Sequence, residues 1–179
     1  MNMTRGLVGL ALLAVPLCGC SMFPPFATCG GREGALTALA GLPVLSARPD
    51  GATVPPGFEA ADTGCLDDSG EPWLYAGRLY VTAQGQDAVV RFYREAAQAD
   101  AWREQPPPSP VPAKVAGLCF ERTDAGKSRT LDLRFLGPDE AREVYGYTPE
   151  PSAPPRTVYY LEADAPADGS STACFRGEH

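Results

Sequence analysis

Alternating hydrophobic and polar residues in the second half of the chain predict β-strands. Residues 131–135 read LDLRF, in which Leu and Phe alternate with Asp132 and Arg134. Residues two apart in a strand point to the same face, so this strand has one buried and one solvated face. Apolar runs bounded by Gly, Pro, Asp and Ser predict strands at 58–66, 72–82, 114–122, 129–136, 156–164 and 171–175.

A helical spacing of apolar residues predicts two helices between or before these strands. The longer one lies at 85–105 and ends before Pro106, since proline cannot continue a helix. Its broad apolar face comprises Val89, Phe92, Tyr93, Ala96 and Ala97. A shorter helix is predicted at 33–40, where Gly41 follows. The expected fold is α+β: a single antiparallel sheet of about five to six strands, with one long helix packed on one face and a short N-terminal helix.

The first residues have the pattern of a secretory signal peptide. Arg5 precedes an apolar stretch at 6–17, and no acidic residue occurs before Glu33. The stretch is shorter than the roughly 20 residues that a spanning helix needs. A buried core helix is the alternative, but globular domains rarely begin with such a run.

The end of this stretch, Leu17, Cys18, Gly19 and Cys20, resembles the lipobox of bacterial lipoproteins. The resemblance implies cleavage between Gly19 and Cys20 and a diacylglyceryl thioether on Cys20, with acyl chains such as palmitate. Lipidation of Cys18 instead would place Leu17 before the cut, where the pattern has a small residue. Two acyl chains anchor a protein stably in a membrane. The resulting division is a signal peptide at 1–19, a lipidated tether at 20–28 and a single α+β domain at 29–179.

The composition limits the possible partners. The chain of 179 residues has a formal net charge of −7. Removal of residues 1–19 would make the chain more negative, because Arg5 is the one charged side chain among them. This balance argues against nucleic acid, which requires clustered basic side chains. The absence of Ile and the excess of Arg over Lys are typical of a GC-rich genome. Composition and layout resemble those of small, uncharacterised lipoproteins of actinobacteria, a resemblance that carries no function.

Four cysteines remain after the lipidated one: Cys29, Cys65, Cys119 and Cys174. An even number, widely spaced in an exported chain, predicts two disulfides. A crossover that places the strand of Cys119 beside the first hairpin favours Cys65 with Cys119, which leaves Cys29 with Cys174. We expect no metal site, because there is no C-x-x-C pair and the one histidine is His179.

Two local motifs resemble ligand-binding sites but are better explained as turns. Gly126, Lys127 and Ser128 match the end of a phosphate-binding loop, but Glu121 stands where the first glycine belongs. A strand follows rather than a helix, so we predict a hairpin turn and no nucleotide. The acids at 62–71, namely Asp62, Asp67, Asp68 and Glu71, lack the calcium-loop spacing and predict a solvated turn.

No catalytic or cofactor-binding residue is assigned. A nucleophilic site needs a histidine base, and His179 is terminal. Seven aromatic residues in or near strands either pack the sheet or form a recognition surface: Trp73, Tyr75, Tyr80, Tyr145, Tyr147, Tyr159 and Tyr160.

We therefore expect a non-enzymatic binding or scaffolding protein on the extracytoplasmic face of the cell membrane. Its partners would be the membrane, through Cys20, and an envelope protein. The alternatives are an envelope hydrolase using paired carboxylates and an accessory subunit that docks on a membrane complex.

Overall fold

The computed structural model describes residues 28–67, 71–107, 117–149 and 156–174. The predicted signal peptide, the cleavage and lipidation site at Gly19 and Cys20, and most of the tether lie outside these residues. Within the described ranges, no helix has the length and apolar character needed to cross a bilayer.

Six antiparallel strands form one open sheet, which confirms the α+β class with a single sheet. The elements in chain order are α1 (Glu33–Ala40), α2 (Pro43–Ser46), β1 (Asp62–Leu66), β2 (Trp73–Thr82), α3 (Gln86–Ala99), β3 (Arg103–Gln105), β4 (Gly117–Asp124), β5 (Lys127–Phe135), α4 (Pro138–Glu143) and β6 (Thr157–Pro166). The strand order is β1-β2-β6-β5-β4-β3, so the last strand lies in the middle of the sheet. β6 pairs with β2 over ten positions and with β5 over six.

The predicted helix at 85–105 is wrong in its last third. α3 ends at Ala99, and Ala101 turns the chain with a φ of 61°. The Trp102 amide then donates to the Ala97 carbonyl oxygen over 2.9 Å, and its side chain is buried at 3% exposure. Residues 103–105 form the edge strand β3 instead. Burial of Trp102 and the hydrogen bonds of β3 to β4 therefore outweigh the local helical preference.

The strand predicted at 171–175 is also absent over its described residues, 171–174. These residues lie against the sheet through side-chain contacts. The Thr172 amide donates to Ser128 Oγ over 2.7 Å, and the Cys174 amide donates to Glu121 Oε1 over 2.8 Å. Side-chain acceptors on β4 and β5 thus replace a strand ladder for this segment.

The helices α1, α2 and α3 cover one face of the sheet, here called the helical face. The core on this face includes Leu39, Leu45, Leu74, Tyr80, Val89, Tyr93, Phe120, Leu131, Leu133, Tyr159 and Leu161. Tyr93 of α3 packs edge-on against Tyr159 and donates its hydroxyl to the Ala47 carbonyl oxygen over 2.8 Å. The cover is thus shared by three helices, of which α3 has 14 residues.

Within the described residues, the opposite face, here called the groove face, is covered only at one end. There α4 and two loops pack a smaller cluster of Leu79, Val81, Leu136, Ala141, Val158 and Tyr160, with Phe58, Tyr145 and Tyr147 against it. The other end of the groove face is left open to the C-terminal segment and to solvent.

The four cysteines form two disulfides as predicted, but the expected pairing is wrong. Cys29 bonds to Cys65 and Cys119 bonds to Cys174, with Cα atoms 5.7 and 5.8 Å apart. The expected pairing placed β4 next to β1, whereas β2, β6 and β5 separate these strands. Cys65 also packs against the helical-face core, while Cys119 alternates with Leu118 and Phe120 and therefore points to the groove face.

Candidate binding site: an acidic groove on the sheet

The open end of the groove face contains a concavity of about 560 Å³, here called the acidic groove. Its floor consists of Thr130, Asp132 and Arg134 of β5 and Glu162 and Asp164 of β6. The wall on one side includes Glu71 and Trp73, and the segment 172–174 forms part of the other.

The register of β5 and β6 brings the acids together. Asp132 lies directly opposite Glu162, and Thr130 lies directly opposite Asp164. Side chains at opposite positions of an antiparallel pair share a face, with Cβ atoms about 4.5 to 5.5 Å apart. Three carboxylates from two central strands therefore converge on one patch of the sheet.

One guanidinium balances part of this negative charge. Arg134 Nη2 lies 3.2 Å from Glu162 Oε1, and its guanidinium carbon lies 5.7 Å from the centre of the Tyr160 ring. Burial lowers the pKa of Arg134, but Glu162 and the other acids more than offset this and leave the pKa raised. Arg134 thus stays protonated and serves as the cation of the cluster.

The carboxylates hold protons more strongly than ordinary acids. Burial, followed by the charge of Glu162, raises the pKa of Asp132 from 3.8 to about 6, although Arg134 opposes the shift. Burial, followed by Glu162 and Asp132, raises the pKa of Asp164 to about 8. The pKa of Glu162 is raised by burial too, with Arg134 acting against it. Desolvation and mutual repulsion both disfavour the fully ionised cluster.

Tyr160 of β6 and Asp62 of β1 border the cluster. The Tyr160 hydroxyl donates to Asp62 Oδ2 over 3.3 Å, and burial raises the pKa of Tyr160, helped by Glu162 and Asp62. The Tyr160 ring lies over Gly77, where a side-chain carbon would overlap it. Gly77 therefore lets Tyr160 lie flat between the acidic groove and the covered end of the sheet.

A disulfide holds the C-terminal wall of the groove in place. Cys174 is bonded to Cys119 of β4, and the amides of Thr172 and Cys174 are tied to Ser128 and Glu121 as described above. The wall is thus attached to the sheet at three points within three residues. We infer that the second disulfide shapes the groove, whereas Cys29–Cys65 joins the start of the domain to β1.

Thr130 lies at the floor of the groove with its side chain inward. The residue is 4% exposed. Its hydroxyl forms no hydrogen bond with any residue that the structure describes, unlike the hydroxyl of its neighbour Ser128, which accepts from Thr172. The Thr130 oxygen is not among the fully buried atoms that lack a partner, so it reaches the surface of the groove, where a polar group of a ligand can bond to it.

The predicted motifs are distributed as follows. The hairpin at Gly126 is confirmed: Ala125 and Gly126 connect β4 to β5 with φ values of 49° and 79°. Of the acids at 62–71, Asp62 bonds Tyr160 and Glu71 lines the groove, while Asp68 lies outside the described residues. His179 also lies outside them.

The aromatic residues mostly pack the two cores, as the packing alternative predicted. Tyr80 and Tyr159 stack within the helical-face core, and Tyr145 and Tyr160 contact each other on the groove face. Trp73 is the aromatic residue that lines the acidic groove.

The sequence interpretation missed the acidic groove as a site. Asp132 and Arg134 were recognised as the solvated side of a strand, and Glu162 and Asp164 follow the same alternation. The alternation of charged and apolar residues is visible in both strands, but the sequence does not show that the two strands are neighbours in the sheet. Across the part of the chain that the structure describes, no three His, Cys, Asp or Glu side chains are arranged to hold a metal ion.

A second groove, of about 860 Å³, lies at the other end of the sheet. Proline and aromatic residues line it, including Pro55, Phe58, Tyr147 and Pro149, with Arg156 as a charged residue. It is larger than the acidic groove but offers few polar groups that could orient a ligand. The acidic groove is the stronger candidate for a site because it brings together several polar side chains, among them Asp132 and Asp164 with strongly raised pKa values.

No protein-family model matches the chain, and comparison with curated proteins and with solved structures likewise finds no match.

Proposed function

We propose that this chain is a lipid-anchored protein on the extracytoplasmic face of the cell membrane, and that its domain binds a ligand in the acidic groove without chemical conversion. The lipobox-like residues Leu17 to Cys20 support the anchor. The two disulfides support an oxidising compartment, since such bonds rarely persist in the cytosol.

The excess of acidic side chains in the groove is the main observation that supports a binding function. Among the described residues, Asp132, Glu162 and Asp164 face one guanidinium, that of Arg134, in a partly buried concavity. Burying like charges opposite each other costs stability, and an apolar pair at these positions would cost less. Such a loss of stability is expected at a binding site, because a bound ligand can supply the missing charge and hydrogen bonds.

An envelope hydrolase that uses paired carboxylates is the second candidate. The raised pKa values of Asp132 and Asp164 favour it, because near neutral pH one carboxyl would hold a proton while its neighbour is ionised. Glycosidases use such a pair as acid and base. The groove is open rather than deep, which favours simple binding over a reaction that must exclude water.

A ligand panel with matched variants tests the proposal. The lipidated full-length protein in detergent is screened by thermal shift against amines, sugars, amino acids and peptides. Glu162→Gln/Asp164→Asn removes two groove carboxylates. Asp139→Asn/Glu143→Gln removes two carboxylates from α4, whose side chains are 83% and 70% exposed, and so gives the same change in net charge.

We expect at least one class of compound to stabilise the wild type and the α4 variant but not the groove variant. If no compound distinguishes the two variants, the binding role of the groove is wrong. Turnover of a glycoside that disappears in the groove variant alone would replace binding with the hydrolase candidate.

A further inference from the structure

We propose that the ligand of the acidic groove is a small organic cation with an ammonium group, and that its binding expels protons from the groove. This inference rests on the proposed binding function and names the chemical class of the ligand.

The ion pairs of the cluster leave negative charge without a partner. Arg134 is paired with Glu162, whereas neither Asp132 nor Asp164 has an ion-pair partner among the described residues. A positively charged ligand would supply this partner once the two acids are ionised, whereas an anionic ligand would increase the repulsion.

Thr130 is a second, independent indication that the groove holds a polar ligand. Its residue is more than nine-tenths buried, it lines the groove, and no described residue hydrogen bonds to its hydroxyl. An ammonium group is a donor of up to three hydrogen bonds. Bound beside Asp164, the cross-strand neighbour of Thr130, it could donate to both the carboxylate and the hydroxyl.

The size and composition of the groove favour an organic cation over a metal ion. A concavity of about 560 Å³ is in the range that accommodates small organic molecules. The described acids do not converge in a metal-binding arrangement, and Arg134 would repel a compact divalent ion. Trp73 in the wall offers an indole ring, the aromatic group that attracts organic cations most strongly.

Proton release follows from the groups that face the ligand position. The charged and titratable groups there are Asp62 of β1, Tyr75 of β2, Glu121 of β4, Asp132 and Arg134 of β5, Tyr160, Glu162 and Asp164 of β6, Glu71 before β2, and Tyr145 and Glu140 near the covered end. Asp132 and Asp164 hold protons because burial and the other acids disfavour their ionised forms.

A bound ammonium group reverses this balance. It stabilises the carboxylates, so each carboxyl O–H bond that breaks passes its proton to the buffer, and no covalent bond to the ligand forms. Affinity should therefore rise from about pH 5.5 to about pH 8.5, the interval in which Asp132 and Asp164 ionise.

Calorimetric titration with 1,5-diaminopentane, and with 1,5-pentanediol as its uncharged counterpart, tests this inference on the lipidated full-length protein. Two buffers of different ionisation enthalpy give the number of protons released at each pH. We expect the diamine to bind about tenfold more tightly at pH 8.5 than at pH 5.5, with net proton release near pH 6.5. Glu162→Gln/Asp164→Asn should weaken binding at least about tenfold, whereas Asp139→Asn/Glu143→Gln should change it less than about twofold.

Three results would each overturn the inference: equal binding of the diamine and the diol, binding of the diamine without proton release, or equal effects of the two double variants on binding. Groove-dependent binding of a neutral sugar or an acidic peptide in the ligand panel, together with no binding of the diamine, would refute the cation while leaving the proposed function intact. Calcium chloride serves as a third probe, and groove-dependent binding of calcium alone would likewise refute an organic cation. The single variant Asp132→Asn repeats the test if the double variant is poorly folded.

Discussion

Asp132 of β5 and Glu162 of β6 lie directly opposite each other in the antiparallel ladder, and both side chains belong to the floor of the acidic groove. Like charges at opposite positions destabilise a sheet. Arg134 relieves the repulsion at Glu162 through a contact of 3.2 Å, but Asp132 and the nearby Asp164 have no such partner in the part of the chain that the structure describes. This pair of strands therefore concentrates charge where packing alone would favour apolar residues.

The raised pKa of Asp164 predicts that stability falls as pH rises. Because its pKa is higher in the folded than in the unfolded chain, the folded state binds more protons between about pH 4 and about pH 8. The stabilisation is complete below the unfolded pKa and is lost as pH rises through the folded one. Asp164→Asn, which resembles the protonated acid, should have a free energy of unfolding close to the wild type at about pH 3, below the unfolded pKa of 3.8. At pH 8.5 it should be about 1 to 3 kcal/mol more stable, since one pKa unit corresponds to about 1.4 kcal/mol and solvent screens part of the shift.

Urea unfolding at the two pH values measures this difference. Asp139→Asn on the exposed side of α4 is the control, and we expect it to change stability by less than about 0.5 kcal/mol at both pH values. An Asp164→Asn protein that is less stable than the wild type at pH 8.5 would contradict the raised pKa.

The disulfide pairing predicts a functional difference between the two bonds. Peptide mapping without reduction should yield Cys29–Cys65 and Cys119–Cys174. Sequence separations of 36 and 55 residues correspond to about 4 kcal/mol of stabilisation for each bond in the chain-entropy model. Replacing both cysteines of either bond with serine should lower stability by a similar amount, but only loss of Cys119–Cys174 should alter the ligand-panel profile, because that bond holds a wall of the groove.

A groove ligand that binds both disulfide variants with wild-type affinity would show that the wall at 172–174 plays no part in the site. A mapped Cys65–Cys119 peptide would contradict the strand order itself.

Close packing of Tyr160 over Gly77 predicts that Gly77→Ala is destabilising. The added methyl carbon would overlap the buried tyrosine, and overpacking of this kind costs about 1 to 3 kcal/mol. Gly34→Ala is the matched control: Gly34 lies within α1 with no atom near the position of the new carbon, so the change should stabilise by about 0.5 to 1 kcal/mol. Thermal unfolding of both variants should show midpoints that shift in opposite directions, and shifts of the same sign would refute the steric argument.

The lipobox resemblance predicts that Cys20→Ser removes diacylglycerol from the protein and the membrane anchoring that depends on it. Mass spectrometry combined with detergent partitioning separates loss of the lipid from retention through an uncleaved signal peptide. Cys18→Ser provides the control and should leave the lipid and the membrane association unchanged. Diacylglycerol that persists in Cys20→Ser but is lost in Cys18→Ser would move the lipidation site to Cys18.

Local chemistry in the sequence was sufficient for part of the fold. The alternating side chains of β5, the strands β2 and β6 and the Ala125–Gly126 turn were predicted, because strand period and turn geometry depend on residues close together in the chain. Four widely spaced cysteines likewise predicted two disulfides.

Only the tertiary structure decided which strands are neighbours. Insertion of β6 between β2 and β5 separates Cys65 from Cys119 and overturns the expected pairing. The same insertion places Asp132 opposite Glu162 and so creates the acidic groove. Burial of Trp102 ends α3 before its sequence pattern does. Each of these features depends on the free energy of contacts between residues far apart in the chain, which a local sequence pattern does not reveal. Hydrophobic alternation predicts which face of a strand is buried, but it does not specify which strand pairs with it.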